Sequence, residues 1–185
     1  MRYLIGILCV LLFSSLHAQS SKEDLIQYCE FLTHQQVDSL MQYFHPKLFE
    51  FISKEELTKT LRSVYGDSSM VVSLGSPKKI NLKKSFILEG VTYEVLTYQF
   101  DMNIMFADTA SEASSFEFIY ALMKAQYGKK RVNKNESKES INVLVDSRNI
   151  GILDPNQKNW IFINYKSKKD PILGKLLSDK ALKKL

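Results

Sequence analysis

From residue 21 onward the apolar positions first recur at helical spacing and then alternate. Leu25, Ile26, Cys29 and Leu32 fall on one side of a helix over 21–33, with Ser21 as cap and Asp24 three residues on. Val37, Leu40, Met41 and Phe44 form an i, i+3, i+4, i+7 stripe for a second helix over 36–44. His45-Pro46 ends it, because the residue before a proline is pushed out of the α region. Ser53 and Glu56 spell a capping box and Ile52 and Leu57 a hydrophobic staple for a third helix, 53–65, which Gly66 closes. The period then falls to two. Met70, Val72 and Leu74 alternate, and Ile80, Leu82, Phe86 and Leu88 suggest a second strand broken at Lys83-Lys84. After the turn Glu89-Gly90 comes the strongest strand signal, 91–106. Leu96, Tyr98, Phe100, Met102, Ile104 and Phe106 face one way, and Thr97, Gln99, Asp101 and Asn103 face the other.

A polar loop over 107–114 leads to a fourth helix, 115–127, capped by Ser114 with Glu117 and stopped at Gly128. Its apolar face is Phe118, Ile119, Leu122 and Met123. Residues 129–140 are polar and charged, an exposed loop or a frayed strand. Ile141, Val143 and Val145 alternate again. Residues 150–153, the turn Asp154-Pro155-Asn156 and residues 160–165 read as a hairpin. Asp170-Pro171 opens a closing helix that carries Leu173, Leu176 and Leu177 inward. No repeat, low-complexity tract or long linker divides residues 19–185. They read as a single α+β domain: helices on one face of a curved antiparallel sheet.

This order resembles the NTF2-like (cystatin-like, SnoaL-like) α+β cone. The resemblance rests on Gln35-Gln36-Val37-Asp38-Ser39-Leu40, similar to that superfamily's helix-helix turn, and on the 53–65 helix followed by a meander ending in Asn159-Trp160-Ile161-Phe162. It implies N-terminal helices packed on the curved sheet, with the helix near 115–127 as an insertion and a C-terminal helix added. Residues 116–185 are also similar to the C-terminal half of uncharacterised exported bacterial proteins. The superfamily includes isomerases, dehydratases, transport factors and bare binding modules, so the fold implies no particular chemistry.

Ahead of the domain, Arg2 precedes an apolar stretch over 5–13, and Ala18 precedes the polar run Gln19-Ser20-Ser21-Lys22. A charged start, a short apolar stretch and a small residue predict a signal peptide over 1–18, cut between Ala18 and Gln19. The stretch falls well short of the ~20 residues that span a bilayer. The expected product is a soluble exported domain, periplasmic or extracellular, whose one cysteine, Cys29, can make no internal disulfide. Set among Tyr28, Phe31 and Leu32, Cys29 reads as a small buried hydrophobe.

The chain's net charge is +5, unevenly spread: residues 128–185 carry 14 basic and 6 acidic side chains. Only Arg131 and Arg148 among the fourteen are arginines, whereas phosphate and base recognition favours arginine. With export, this argues against a nucleic-acid partner and for a lysine-rich solvated face. Lys175, Lys180, Lys183 and Lys184 could place the closing helix on an anionic membrane, but its length suits docking on the sheet better.

No cofactor or metal is expected. His34 and His45 have no ligand-spaced partners, and G-x-S-x-G, P-loop and dinucleotide motifs are absent. No residue is assigned a catalytic role. The one enzymatic idea is proton transfer in a cone pocket by Tyr43, Tyr93, Tyr98 and Asp101, but Asp101 lies on the polar face opposite Tyr98. Tyr98, Phe100 and Phe106, with Phe44, Phe49 and Phe51, read as core that could also line a cavity. Asn135-Glu136-Ser137 matches a glycosylation sequon, informative only in a glycosylating host. The leading expectation is non-catalytic binding of a small apolar ligand or a protein partner. The alternatives are a pocket enzyme of isomerase or dehydratase type and a cell-surface accessory protein using the basic C-terminal third.

Overall fold

The alternating run at 91–106 becomes the strand on which the rest is built. The computed structural model describes residues 20–65, 70–106 and 113–185, so Ala18, Gln19 and Gly66 lie outside the described residues. Of the strands, β3 (Val91–Phe106) and β5 (Ser140–Leu153) run antiparallel through the sheet centre, in register from Thr92 opposite Leu153 to Met105 opposite Ser140. Beyond β3, β1 (Met70–Leu74) pairs with its C-terminal end and β2 (Lys78–Leu88) with its N-terminal end. Beyond β5, β4 (Val132–Asn135) and β6 (Ile161–Asn164) share the other edge in the same way. Every pairing is antiparallel, and the α+β class stands.

The strand connections follow turn chemistry. Glu89 and Gly90 both take positive φ, 53° and 83°, the two-residue hairpin geometry whose twist matches its strands. The expected break at Lys83-Lys84 is a bulge inside one strand: Leu82 pairs with Leu96 and Lys84 with Val95, leaving Lys83 without an opposite residue. The polar stretch between Val145 and Ile150 is likewise no gap, since both apolar runs belong to β5. In the segment read as loop or frayed strand, Val132 is buried and anchors β4.

The helices are α1 (Ser21–Thr33), α2 (Val37–Leu40), α3 (Lys54–Tyr65), α4 (Ala113–Tyr127), α5 (Pro171–Leu176) and α6 (Asp179–Lys184). The cap of α1 is Ser20, not Ser21. The Ser20 hydroxyl accepts from the Glu23 N–H (3.3 Å) and the Glu23 carboxylate accepts from the Ser20 N–H (3.0 Å), a capping box one residue earlier than read. Gln35, at φ 55°, supplies the left-handed step after α1. The helix expected over 36–44 keeps α geometry only to Leu40, tightens to a 3₁₀ turn at Met41–Tyr43 and is extended at Phe44. The chain must leave there, because Tyr43 packs on one face of the sheet and Leu48 on the other. In α3 the expected cap is present: the Ser53 hydroxyl accepts from the Glu56 N–H at 3.1 Å. Helix α4 starts at Ala113, so Ser114 lies inside its first turn. The closing helix is two helices. Asp170 and Pro171 open the first as read, but the Ser178 side chain accepts from the Ala181 N–H and starts a second, with Leu177 extended between them.

Helices cover both faces of the sheet, which corrects the expectation of one. The face bearing Leu96, Tyr98 and Ile104 is covered at one end by α1, packed with Trp160 and Phe162, and at the other by α4, packed on Ile141 and Val143. The face bearing Val95, Ile150, Ile161 and Ile163 is covered by α5 and α6 with Leu48. The reason lies in β3. Its first residues are apolar on both sides, Val91, Tyr93 and Val95 as well as Leu96, so both faces need cover there. Past Val95 the second face turns polar, as read at Thr97, Gln99, Asp101 and Asn103, and stays open. Among the described residues no helix is long and apolar enough to cross a membrane.

Candidate functional site

The two helical covers on the first face do not meet. Between them lies a cavity of about 160 Å³, and Phe100 packs against the apolar clusters on either side. Tyr28, Cys29 and Leu32, one turn of α1, form its roof. Leu74 and Gly75 close one side where β1 ends, and Tyr98, Phe100, Ser147, Asn149 and Asn164 form the floor. Gly75 ties the end of β1 to β3. Its N–H donates to the Asp101 carbonyl at 2.7 Å, and a Cβ would stand 3.4 Å from that oxygen.

Helix α1 is pinned over the cavity by two polar contacts. The Ser21 hydroxyl donates to the Glu94 carboxylate, and the buried Asp24 carboxylate accepts from the Trp160 N–H at 2.8 Å. The second Asp24 oxygen has no hydrogen-bond partner. Burial is the main cause that holds this carboxyl above its usual range, and the Trp160 N–H opposes it. A carboxylate held by one donor beside an apolar helix is a costly tether, and it fixes where the roof sits.

The floor is polar where alternation would place apolar side chains. Ile141, Val143 and Val145 point toward the first face, and the next two inward positions of β5 are Ser147 and Asn149. They gather around the Tyr98 hydroxyl, with the Cys29 thiol beside it. Asn149 is 3% exposed, and its side-chain carbonyl oxygen has no donor. Burial, followed by the Cys29 neighbour, pushes the Tyr98 phenol far up. Burial likewise pushes the Cys29 thiol up to about 12, so it stays protonated and is no nucleophile at neutral pH. The result is a small chamber with apolar walls, neutral hydrogen-bonding groups at one end and no charge-bearing catalytic pair.

The residues weighed for proton transfer are not brought together. Tyr98 lines the cavity. Asp101 is on the open polar face, ion-paired with Lys78 at 2.5 Å. Tyr93 stacks on Phe86 with ring centroids 5.1 Å apart, on the same side as Val95. Tyr43 is buried in the α1 cluster, where its hydroxyl donates to Gln27 at 2.8 Å. Of the aromatic residues, Phe100 lines the cavity and Phe106 packs edge-on against Phe116. Phe51 is mostly exposed under the Lys175 ammonium. His34 caps the end of α1, and His45 accepts from the Lys47 N–H through Nδ1. Among the described residues no group of three histidine, cysteine or acidic side chains could hold a metal. Asn135 accepts from the Ser137 hydroxyl at 2.8 Å beside β4. Three of the four lysines weighed for membrane contact engage this chain instead: Lys175 over Phe51, Lys180 with Glu89 at 2.7 Å, and Lys184 over Phe86.

Ser147, Asn149 and Asn164 were not singled out from the sequence. The signal for the first two is there, since the inward series on β5 changes from Val145 to Ser147 and Asn149 without losing its period. Compared with protein-family models, curated proteins and solved structures, the chain gives no match.

Proposed function

We propose that this protein is an exported, non-catalytic binding domain that takes up a small, mostly apolar molecule beneath α1. The observation that carries the reading is the chamber itself: about 160 Å³, walled by Tyr28, Leu32, Leu74 and Phe100, with the unpartnered Asn149 carbonyl at its floor. An apolar cavity of roughly 150 Å³ is large enough for a benzene-sized guest. A guest carrying one O–H or N–H could satisfy Asn149 once that amide turns toward it, removing an unmet hydrogen bond worth about 1–3 kcal/mol. Export rests on the residue pattern at 1–18. The NTF2-like cone belongs to the same proposal, supported by the helix-helix turn at 35–40 and the long strands under α1; α5 and α6 on the opposite face would be additions to it.

Phenol is the test probe. Thermal unfolding with increasing phenol should raise Tm in a saturable way, as binding to the folded state alone requires. Leu32→Trp, which fills the chamber from the roof, should abolish the shift while the variant stays folded by circular dichroism. Native mass spectrometry of the protein from its host's exported fraction should show a chain starting at Gln19 with a bound small molecule. A bare chain together with no saturable Tm shift would refute the binding reading, and an intact Met1 would refute export.

A further inference from the structure

A groove of different character wraps the uncovered edge of β5, lined by Thr97, Asp146 and Arg148 from the second face and by Val145, Ser147 and Tyr127 from the first. It occupies about 860 Å³, within the range of ligand sites, where the edge between β4 and β6 leaves the middle of β5 uncovered. Its charged lining is Lys79, Asp146, Arg148 and Lys166. The carboxylate among them is already engaged: Asp146 is ion-paired with Arg131, accepts from the Gln99 amide at 2.8 Å, and lies below the usual carboxylate range, chiefly because of that amide. Lys79, Arg148 and Lys166 have no ion-pair partner among the described residues. Of the described arginines, Arg62 and Arg131 are paired and Arg148 is not.

Arg148 is nonetheless held in place. Its guanidinium lies 5.5 Å from the ring centroid of the buried Tyr165, whose N–H donates to the Arg148 carbonyl at 2.8 Å. Thr97 stands directly across the strand pair. Arg148 is exposed beside this ring, and the planar fork of a guanidinium is suited to two parallel hydrogen bonds with a carboxylate or phosphate. Three cations against the one carboxylate of Asp146, which Lys79 also helps to hold ionised, leave the concavity net positive, a field that draws an anion. The neutral lining offers hydrogen bonds from Thr97, Gln126 and Asn164 and apolar surface from Phe100, Val145 and the ring of Tyr127.

We propose that this groove binds an anionic sugar, a polyhydroxyl ring bearing a phosphate or carboxylate, with Arg148 gripping the anion and the amides and Thr97 meeting hydroxyls. The groove adjoins the chamber under α1, sharing Tyr98, Phe100, Ser147 and Asn164 with it, and carries the charged side chains that the chamber lacks.

Calorimetric titration of the protein purified from its host tests this with glucose 6-phosphate, glucuronate and uncharged glucose. At least one of the two anions should bind, and glucose should not. Binding should weaken as salt rises from about 50 to 500 mM, because the shorter screening length masks the cations. Arg148→Ala should weaken it at least tenfold, since a charge-assisted pair is worth about that much or more. Arg148→Lys, which keeps the stem and charge but not the fork, should also weaken it. Arg148→Ala should leave the phenol-dependent rise in Tm in place, because Arg148 does not line the chamber, so failure of the chamber and failure of the groove can be told apart. Glucose binding as well as the anions, affinity unchanged in Arg148→Ala, or no heat from either anion up to roughly 20 mM, an affinity below the useful range, would each overturn the proposal.

Discussion

Asp24 is the residue where burial and charge conflict most plainly. It is 1% exposed, its carboxyl is raised above the ordinary 3.8 mainly by burial, and the Trp160 N–H only partly compensates. The folded protein therefore holds this proton more tightly than the unfolded chain does. Below pH 3.8 both states are protonated and the residue costs nothing in this respect. As pH rises, the unfolded chain ionises first, so the residue draws stability down until the folded carboxyl has also ionised. Asp24→Asn keeps an oxygen for the Trp160 N–H and cannot ionise. Its stability relative to the parent should rise with pH from about 4 and then level off, as read by urea unfolding across pH 3.5–7. A difference that stayed flat or fell with pH would contradict this account of the tether.

At the scale of elements, the β5–β6 hairpin depends on one glycine. A Cβ at Gly151 would stand 3.2 Å from the Trp160 ring and 3.4 Å from the Phe162 ring, so both aromatics lie across bare backbone. They belong to the cluster that α1 covers, where the Phe162 ring lies 5.5 Å from that of Tyr28 in the roof of the chamber. Gly151→Ala should lower stability by about 1–3 kcal/mol, the usual cost of overpacking, measured as a lower urea midpoint with unchanged slope. The hairpin was legible in the sequence from its turn and its alternation. The glycine's role was not, because nothing local says which rings will cross above it.

For the whole molecule, the unexpected feature is helical cover on both faces. Leu173 is fully buried against Ile150 and Ile163, whereas Phe118 on α4 is 67% exposed. Leu173→Ala should cost about 2–5 kcal/mol, while Phe118→Ala should change stability by no more than about 0.5 kcal/mol. Parallel urea titrations of the two variants decide it. A small loss at Leu173 would contradict the cover of the second face by α5, and a large one at Phe118 would contradict the exposure of that side of α4.

Residue order alone determined β1 and β3, the Glu89-Gly90 turn, the Ser53 cap, the separation of Tyr98 from Asp101 and the burial of Cys29. These follow from local period, capping and turn chemistry, which act within a few residues. Tertiary structure alone decided which face each helix covers and that Ser147, Asn149 and Asn164 share a floor with Tyr98. Those outcomes depend on contacts between residues far apart in the chain. The Asp24–Trp160 bond links positions 136 residues apart, and no periodicity reports which distant groups a fold will bring within 3 Å.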